Sequence, residues 1–287
     1  MKKVFLYGKL FRVKHYIKNV LILVPLLFSG QFFDYKKLCY GVVGCISFCL
    51  MASAVYIFND LRDLEKDKVH PRKCNRPIAE GSISKKDAVI SMIICVVASL
   101  AVILFGMKTV SYILYPILYW VLNILYSLGL KNVPLVDILI LVSGFLLRVL
   151  YGAQITNIEV SGWLYLTVVA ISFYMGLGKR RNEIRNQNKI DETRPVLQYY
   201  TYEFLDKNMY LCLGLTNTFY ALWAMSNEDK ILLWTVPLVL IITMKYGLNV
   251  EQKYSEGDPV EVIWGDKIIW CLGIIYLAIV VGVLYFI

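Results

Sequence analysis

Charged side chains are scarce in this chain of 287 residues. Asp, Glu, Lys and Arg together make up 18% of the sequence, whereas 58% of the residues are hydrophobic and the mean hydropathy is +0.59. Soluble domains usually contain about 25% charged residues. The low charge and the long apolar runs exclude an ordinary soluble domain and indicate an integral membrane protein with several spans.

Histidine and paired cysteine are also lacking. The two histidines, His15 and His70, are far apart in the sequence, and the seven cysteines include no CxxC pair. Such spacing predicts neither a zinc site nor a disulfide framework. A cleavable signal peptide is not expected either, because a polar, basic arm precedes the first apolar run and no small-residue cleavage site follows it.

Nine apolar runs have roughly the length needed to cross a bilayer as a helix. They fall at 17–31, 39–58, 88–106, 110–128, 135–153, 162–177, 208–225, 231–249 and 267–287, of which the first and sixth are short. The sequence therefore predicts an all-α, polytopic membrane protein with nine transmembrane helices. No low-complexity stretch or Pro/Ser linker divides the chain, so residues 1–287 are expected to form a single domain.

The distribution of basic residues gives an independent test of this count. If the N-terminus lies inside, the loops predicted to be cytoplasmic hold 24 of the 30 Lys and Arg, and the opposite loops hold four. This bias is the one expected of cytoplasmic loops, and it predicts that the C-terminus lies outside. The net charge of +9 then reflects topology and contact with membrane lipids, so no nucleic-acid partner is predicted.

Carboxylates cluster where the second run ends. A helix continuing past Phe58 would place four oxygen-bearing side chains within roughly a quarter-turn of its surface: Asn59, Asp60, Asp63 and Asp67. Carboxylates this close repel one another unless a cation lies among them, and hard oxygen ligands suit Mg²⁺. The pattern predicts a magnesium site. The alternative is a solvated loop whose acidic and basic side chains pair among themselves.

Basic side chains follow the aspartates and also open a second charged loop. Arg72, Lys73 and Arg76 are expected to hold phosphate oxygens. The second loop begins GKRRNE, in which Lys179 and Glu183 lie on neighbouring turns. Topology alone also explains positive charge there.

Further candidate substrate-binding residues lie at or inside span ends. They are Lys18, Asn19, Tyr126, Lys131 and Arg148. An arginine several residues inside a span is costly and normally faces a polar cavity or an anion. Snorkelling or a structural pairing is the alternative for Arg148.

The pattern NDxxDxxxD, from Asn59 to Asp67, and the following HPRKCNRPIAEG resemble the first aspartate-rich motif of the UbiA-type intramembrane prenyltransferase superfamily. That resemblance implies a helical bundle around a central cavity, with a cytoplasmic cap where Mg²⁺ and diphosphate bind. Most members carry a second aspartate-rich motif after the sixth span, where this chain has GKRRNE.

In this departure the chain resembles the decaprenyl-phosphate phosphoribosyltransferase branch of the superfamily. KHYIKNVLILVP, SGFLLRVLYGA, RPVLQYY and GDPVEVIWGD are also similar to that branch, so the resemblance runs over nearly the whole chain. The aspartate motif is specific only for the superfamily. GKRxxE together with GDPxEV narrows the resemblance to the branch.

The branch implies transfer of a 5-phosphoribosyl group from phosphoribosyl diphosphate (PRPP) to a polyprenyl phosphate, with release of diphosphate. The reaction would occur at the cytoplasmic face of a prokaryotic inner or plasma membrane. The implied catalytic residues are Asp60, Asp63, Asp67, Lys179 and Arg180. One alternative is a prenyltransferase that moves a prenyl group from prenyl diphosphate to an aromatic acceptor. Another is a transporter, although transporters place ionisable groups near mid-bilayer. A homo-oligomer is left open.

Overall fold

The computed structural model describes residues 2–69, 73–186, 195–227, 230–252, 255 and 257–286. All regular secondary structure in these residues is helical, as the composition predicts. The chain forms two compact units. The first unit comprises Met1–Leu26, Phe32–Leu130 and Leu147–Ile158, and the second comprises Leu27–Gln31, Lys131–Leu146 and Glu159–Ile287. The single domain stays a prediction.

The described residues form twelve α-helices. The first seven are α1 (Lys2–Leu10), α2 (Val24–Phe28), α3 (Tyr35–Arg62), α4 (Leu64–Val69), α5 (Lys85–Met107), α6 (Leu114–Leu128) and α7 (Val136–Thr156). The other five are α8 (Gly162–Arg185), α9 (Tyr202–Ser226), α10 (Val236–Glu251), α11 (Pro259–Gly265) and α12 (Lys267–Phe286). Short 3₁₀ segments connect several of them. The longest, Val13–Leu23, has 11 residues.

Six helical segments are long and apolar enough to cross a membrane. They are Tyr35–Arg62, Lys85–Met107, Val110–Leu128, Val136–Thr156, Ile231–Glu251 and Lys267–Phe286. Two further predicted spans lie in α8 and α9, which are long enough but more polar. The first predicted span falls in the 3₁₀ segment and α2. An integral membrane protein is therefore confirmed, and the count of nine spans stays a prediction.

Side-chain caps set the starts of four long helices. Each cap accepts a hydrogen bond of 3.1–3.2 Å from the backbone N–H three residues later. The capping residues are Asp34 for α3, Ser84 for α5, Ser161 for α8 and Thr201 for α9. Because a cap satisfies an otherwise unpaired N–H, these residues fix the point at which each apolar run begins to be helical.

The 3₁₀ segment Val13–Leu23 packs closely against α3 and α7 within the first unit. A Cβ added at Gly152 of α7 would lie 1.9 Å from the carbonyl oxygen of Ile22, so only glycine allows this approach. Three residues per turn align positions i and i+3 in a 3₁₀ helix. Tyr16, Asn19 and Ile22 consequently form one column, in which Asn19 and Ile22 are buried.

Candidate functional site

The aspartate-rich stretch lies where α3 ends and α4 begins, in the first unit. Helix α3 runs to Arg62, Asp63 interrupts it, and α4 resumes at Leu64, so the predicted continuation past Phe58 is almost unbroken. Asp60 and Asp67 are buried, with 2% and 3% of their surface exposed. A buried carboxylate is stable only with a charged or hydrogen-bonding partner. The partners of these two aspartates therefore define the site.

Arg76 binds both buried aspartates through one nitrogen. Its Nη1 lies 3.0 Å from Asp60 Oδ1 and 2.5 Å from Asp67 Oδ2. Burial raises the pKa of Asp67, and the Arg76 guanidinium opposes that rise. The charge of Asp60 raises this pKa further and that of Lys73 lowers it. The two predicted ligands, Asp60 and Asp67, thus converge on one cationic point, with the predicted phosphate-binding residues Lys73 and Arg76 beside them.

Arg12 is a member of this cluster that the sequence did not indicate. Its Nη2 lies 2.5 Å from Asp60 Oδ1, and its guanidinium lies 4.9 Å from the centre of the Tyr56 ring. Its backbone is left-handed, with φ of 51°, between α1 and the 3₁₀ segment. That strained conformation turns the side chain towards α3. In a basic arm, nothing in the sequence distinguishes Arg12 from its neighbours.

Asn59 faces a different partner from the aspartates. The hydroxyl of Ser127, at the end of α6, donates a hydrogen bond to Asn59 Oδ1. Tyr126 is buried beside Ser127. The ends of α3 and α6 are therefore joined at the position where the sequence placed Asn59 and Tyr126.

The donor chemistry of this cluster suits a divalent cation. Carboxylate oxygens of Asp60 and Asp67 already meet at a positive charge, and Mg²⁺ prefers such hard oxygen ligands. Among the described residues, however, no group of three or more His, Cys, Asp or Glu is arranged as a metal site. The two aspartates at Arg76 account for only part of the predicted ligand set, which also includes Asn59 and Asp63.

Arg148 is held deep in the first unit by neutral groups. Its Nε donates to Asn19 Oδ1 at 2.7 Å and its Nη2 to the Tyr119 hydroxyl at 3.3 Å. The guanidinium also lies 4.9 Å from the centre of the Phe48 ring and 4.8 Å from that of Tyr119. With 4% of its surface exposed, Arg148 is engaged by protein on several sides. These contacts favour a structural pairing with Asn19.

Lys18 and Asn19 are adjacent in sequence but lie in different columns of the 3₁₀ segment, because three residues make one turn. Asn19 also donates to Cys49 Sγ at 3.1 Å, which fixes its amide against α3. Lys18 is only partly buried. The pair therefore divides into a buried amide that holds Arg148 and a more accessible cation.

In the second unit, the GKRRNE stretch binds the GDP turn. Lys179 Nζ lies 3.0 Å from Asp258 Oδ2. Gly257 has φ of +69°, and a Cβ there would lie 3.0 Å from the carbonyl oxygen of Gly178. Only glycine combines that backbone conformation with such close contact. The GKRRNE and GDP stretches, which narrowed the resemblance to one branch of the superfamily, are therefore in contact.

Arg180 is fully buried within an ion-pair cluster. Its Nε lies 2.6 Å from Asp137 Oδ2, and its Nη1 lies 2.8 Å from Glu183 Oε2. The Tyr200 hydroxyl donates to Asp137 Oδ1 at 2.6 Å. Burial and the Asp137 carboxylate raise the pKa of Tyr200 to about 12, so the phenol remains a donor. Arg180 therefore joins α8 to the start of α7, and Glu183 holds its guanidinium from within α8.

Arg181 is a second buried arginine that the sequence did not single out. Its Nη1 binds Asp206, and it also lies 2.5 Å from Glu251 Oε1. Tyr210 donates to the same Glu251 oxygen at 2.7 Å. Burial of an arginine without acidic partners would be very costly, so this cluster stabilises the packing of α8, α9 and α10.

The remaining predicted residues are less defined. Lys131, in the 3₁₀ segment Leu130–Asn132, is partly buried and belongs to the second unit. Arg72 lies outside the described residues. The candidate residues thus divide into a first-unit group around the aspartates and a second-unit group around Lys179 and Arg180.

Comparison with known proteins agrees with this frame and these motifs. The profile of the UbiA prenyltransferase family matches residues 20–258. The chain belongs to the UbiA prenyltransferase family. The match contains the aspartate-rich stretch of the first unit and the GKRRNE stretch of the second, and it confirms the resemblance seen in the sequence.

UbiA family proteins of similar length resemble the chain from end to end. The decaprenyl-phosphate phosphoribosyltransferase of Mycobacterium tuberculosis (strain CDC 1551 / Oshkosh) is 31% identical over 95% of this chain and 92% of its own length. The proteins of the same name from Mycolicibacterium smegmatis and Corynebacterium glutamicum are each 29% identical. These alignments cover 97% and 96% of this chain and 92% and 86% of those proteins.

Solved structures show that the fold is that of the UbiA family. A UbiA homolog from Archaeoglobus fulgidus, bound to GPP and Mg²⁺, matches with a TM-score of 0.72 at 20% identity over 96% of this chain and 99% of that chain. A digeranylgeranylglyceryl phosphate synthase matches with a TM-score of 0.62 at 17% identity over 98% of both chains. The predicted fold class is confirmed.

Proposed function

We propose that this protein transfers a 5-phosphoribosyl group from PRPP to a polyprenyl phosphate of decaprenyl type. The bond between the anomeric carbon and diphosphate breaks, and a phosphate oxygen of the acceptor forms the new bond to that carbon. The observation that carries this proposal is end-to-end similarity to proteins named decaprenyl-phosphate phosphoribosyltransferase. GKRRNE supports it, because cations stand there in place of a second group of aspartates.

The first-unit cluster is proposed to receive the diphosphate of the donor. Asp60, Asp63 and Asp67, with Asn59, would hold Mg²⁺. When bound, Mg²⁺ supplies positive charge that stabilises the departing diphosphate. Arg76 and Lys73, which lie at the aspartates, would hold phosphate oxygens, and Arg12 would keep the Asp60 carboxylate in place. Arg72 is proposed to act with them.

The remaining cations are proposed to serve the acceptor phosphate. Lys179 is partly exposed at Asp258, so its ammonium group is accessible to a phosphate oxygen. Lys18 and Lys131, both partly buried, would add further positive charge, and Tyr126 would line the site. The acceptor phosphate is already ionised, so no general base is needed. The protein's task is to hold two anions together.

Three predicted site residues are better described as positioning residues. Arg180 and Glu183 are engaged with each other, and Arg180 also binds Asp137. Arg148 binds Asn19 and Tyr119. Each would act by fixing the helix that carries it. We also propose that the whole chain works as one domain, with its N-terminus and active site at the cytoplasmic face and its C-terminus outside.

A comparison of two pairs of donor and acceptor substrates tests the proposal. Membranes containing the protein receive either labelled PRPP with polyprenyl phosphate or labelled prenyl diphosphate with an aromatic acid. We expect a lipid product only in the first case, heavier than the acceptor by one phosphoribosyl group in its mass spectrum. A product only in the second case would replace this proposal with aromatic prenylation.

A further inference from the structure

Helix α1, with the sequence KKVFLYGKL, packs against α3 and α5 on one side and is exposed on the other. Leu10 is fully buried in a cluster that includes Ile57 of α3 and Ala88 of α5. On the outer side, Val4 is 79% exposed and Phe5 is 69% exposed. Two large apolar side chains on so short a helix require a covering surface if they are to leave water.

The position of α1 along α5 indicates what that surface is. Ala88 of α5 is buried against the cluster that holds Leu10, whereas Val89 and Ile90, the next residues along α5, are exposed. In a spanning helix of a membrane protein, exposed apolar residues face lipid. Helix α1 therefore lies at the depth where the lipid-facing surface of α5 begins.

Positive charge accompanies the exposed apolar residues. Lys3 and Lys9 are exposed on α1, and Lys9 Nζ lies 4.9 Å above the centre of the Phe5 ring. Interfacial helices combine lysines, which attract anionic headgroups, with aromatic and aliphatic side chains that enter the acyl boundary. The charge of α1 and its depth therefore both favour anionic lipid as the molecule that covers its exposed side.

We infer that α1 is an interfacial helix whose exposed side chains, those of Lys3, Val4, Phe5 and Lys9, bind anionic lipids of the surrounding bilayer. A helix this short would bind a membrane weakly alone. The spans keep it at the bilayer surface, so a weak interaction is populated through a high effective concentration.

Helix α1 is also continuous with a segment that is fixed to α3. Ser53 of α3 donates to the carbonyl oxygen of Phe11 at 3.1 Å, and Arg12 next to it binds Asp60. Lipid bound to α1 therefore fixes the backbone from which Arg12 reaches the aspartates.

Photo-crosslinking identifies the occupant directly. The full-length Phe5→p-benzoylphenylalanine protein is placed in nanodiscs made of equal parts phosphatidylcholine and phosphatidylglycerol, irradiated, and weighed by intact-protein mass spectrometry. We expect lipid adducts in which phosphatidylglycerol exceeds phosphatidylcholine severalfold.

Charge reversal provides the matched comparison. Lys3→Glu/Lys9→Glu in the same photo-crosslinking protein should abolish the preference for the anionic lipid. Lys66→Glu/Lys68→Glu, which makes the same change in net charge on α4, should retain it. A cross-link to a second protein chain, adducts in the mixing ratio, or no lipid adduct would each overturn the inference.

Discussion

Arg76 is the residue on which the buried charges of the first unit depend. Replacing it with methionine leaves Asp60 and Asp67 without the guanidinium that both contact. Because Arg76 is a quarter exposed, we discount the full cost of breaking a buried ion pair and expect a loss of about 1–3 kcal/mol in the free energy of unfolding.

The measurement for Arg76→Met is thermal unfolding of the purified protein in detergent. Arg62→Met is the control, since Arg62 is exposed at the end of α3. Equal melting temperatures for both variants would contradict the central role of Arg76.

Replacing an aspartate with asparagine, which has the same shape but no charge, tests the role of each carboxylate. Asp60→Asn and Asp63→Asn should each lower phosphoribosyl transfer on the order of a hundredfold, because an electrostatic contribution to departure of diphosphate is lost. Both variants should also bind Mn²⁺ more weakly, as measured by electron paramagnetic resonance. Glu65→Gln, at an exposed position of α4, should keep wild-type activity. Full activity in both aspartate variants would disprove the metal assignment.

The residue types in the sequence predicted the chemistry of the site better than they predicted which side chains pair with each other. The spacing of Asp60 and Asp67 placed them on one side of a helix, and the structure brings both to Arg76. Arg180 and Arg181 are adjacent in sequence, yet one binds Asp137 and the other binds Asp206 and Glu251. Those acids come from distant parts of the chain, so no local pattern could reveal the pairing.

At the level of elements, the close contact between α8 and the GDP turn depends on Gly257. Gly257→Ala places a methyl group 3.0 Å from the Gly178 carbonyl oxygen in a left-handed backbone. We expect a loss of about 1–3 kcal/mol and displacement of Asp258 from Lys179. Thermal unfolding and transfer rate report the two effects. Gly214→Ala in α9, where a Cβ meets no atom within 4 Å, should be neutral or slightly stabilising.

The start of α12 predicts a specific pH dependence. Lys245 and then Asn249 lower the pKa of Asp266 from 3.8 to about 2, and Asp266 also accepts from the N–H of Ile268. Because the pKa is lowered in the folded protein, ionised Asp266 stabilises the fold at any pH above its pKa in the unfolded chain. This stabilisation is lost as the pH falls towards 2.

The comparison for Asp266 is the difference in melting temperature between wild type and Asp266→Asn. We expect a constant difference from neutral pH to about pH 5 that shrinks below about pH 4. A difference that stays constant down to about pH 3 would contradict the role of the charge.

The α-helices were predictable from the sequence, whereas the 3₁₀ form of the first predicted span was not. Apolar runs and capping residues such as Ser84 mark the ordinary helices in the sequence. The segment Val13–Leu23 offers no comparable sign of its 3₁₀ form. Its close approach to α7 depends on Gly152, which lies over a hundred residues later in the chain.

For the whole molecule, an odd or even number of spans decides whether the two termini lie on opposite sides or on the same side of the membrane. In the proposed topology, nine spans and a cytoplasmic N-terminus would leave the C-terminus outside. Fusion of a reporter that is active only outside the cytoplasm should therefore give activity after Phe286 and after Asn227, but not after Arg185. An inactive reporter after Phe286 would place the C-terminus in the cytoplasm and would contradict the proposed topology.

The 11-residue segment Val13–Leu23 shows why counting residues misjudges the length of a helical segment. A 3₁₀ helix rises about 2.0 Å per residue, so this segment extends about 22 Å, whereas an α-helix of the same length would extend about 16 Å. Tighter winding lets fewer amino acids cover the same distance along the helix axis. The length of the predicted first span is therefore better judged in ångströms than in residues.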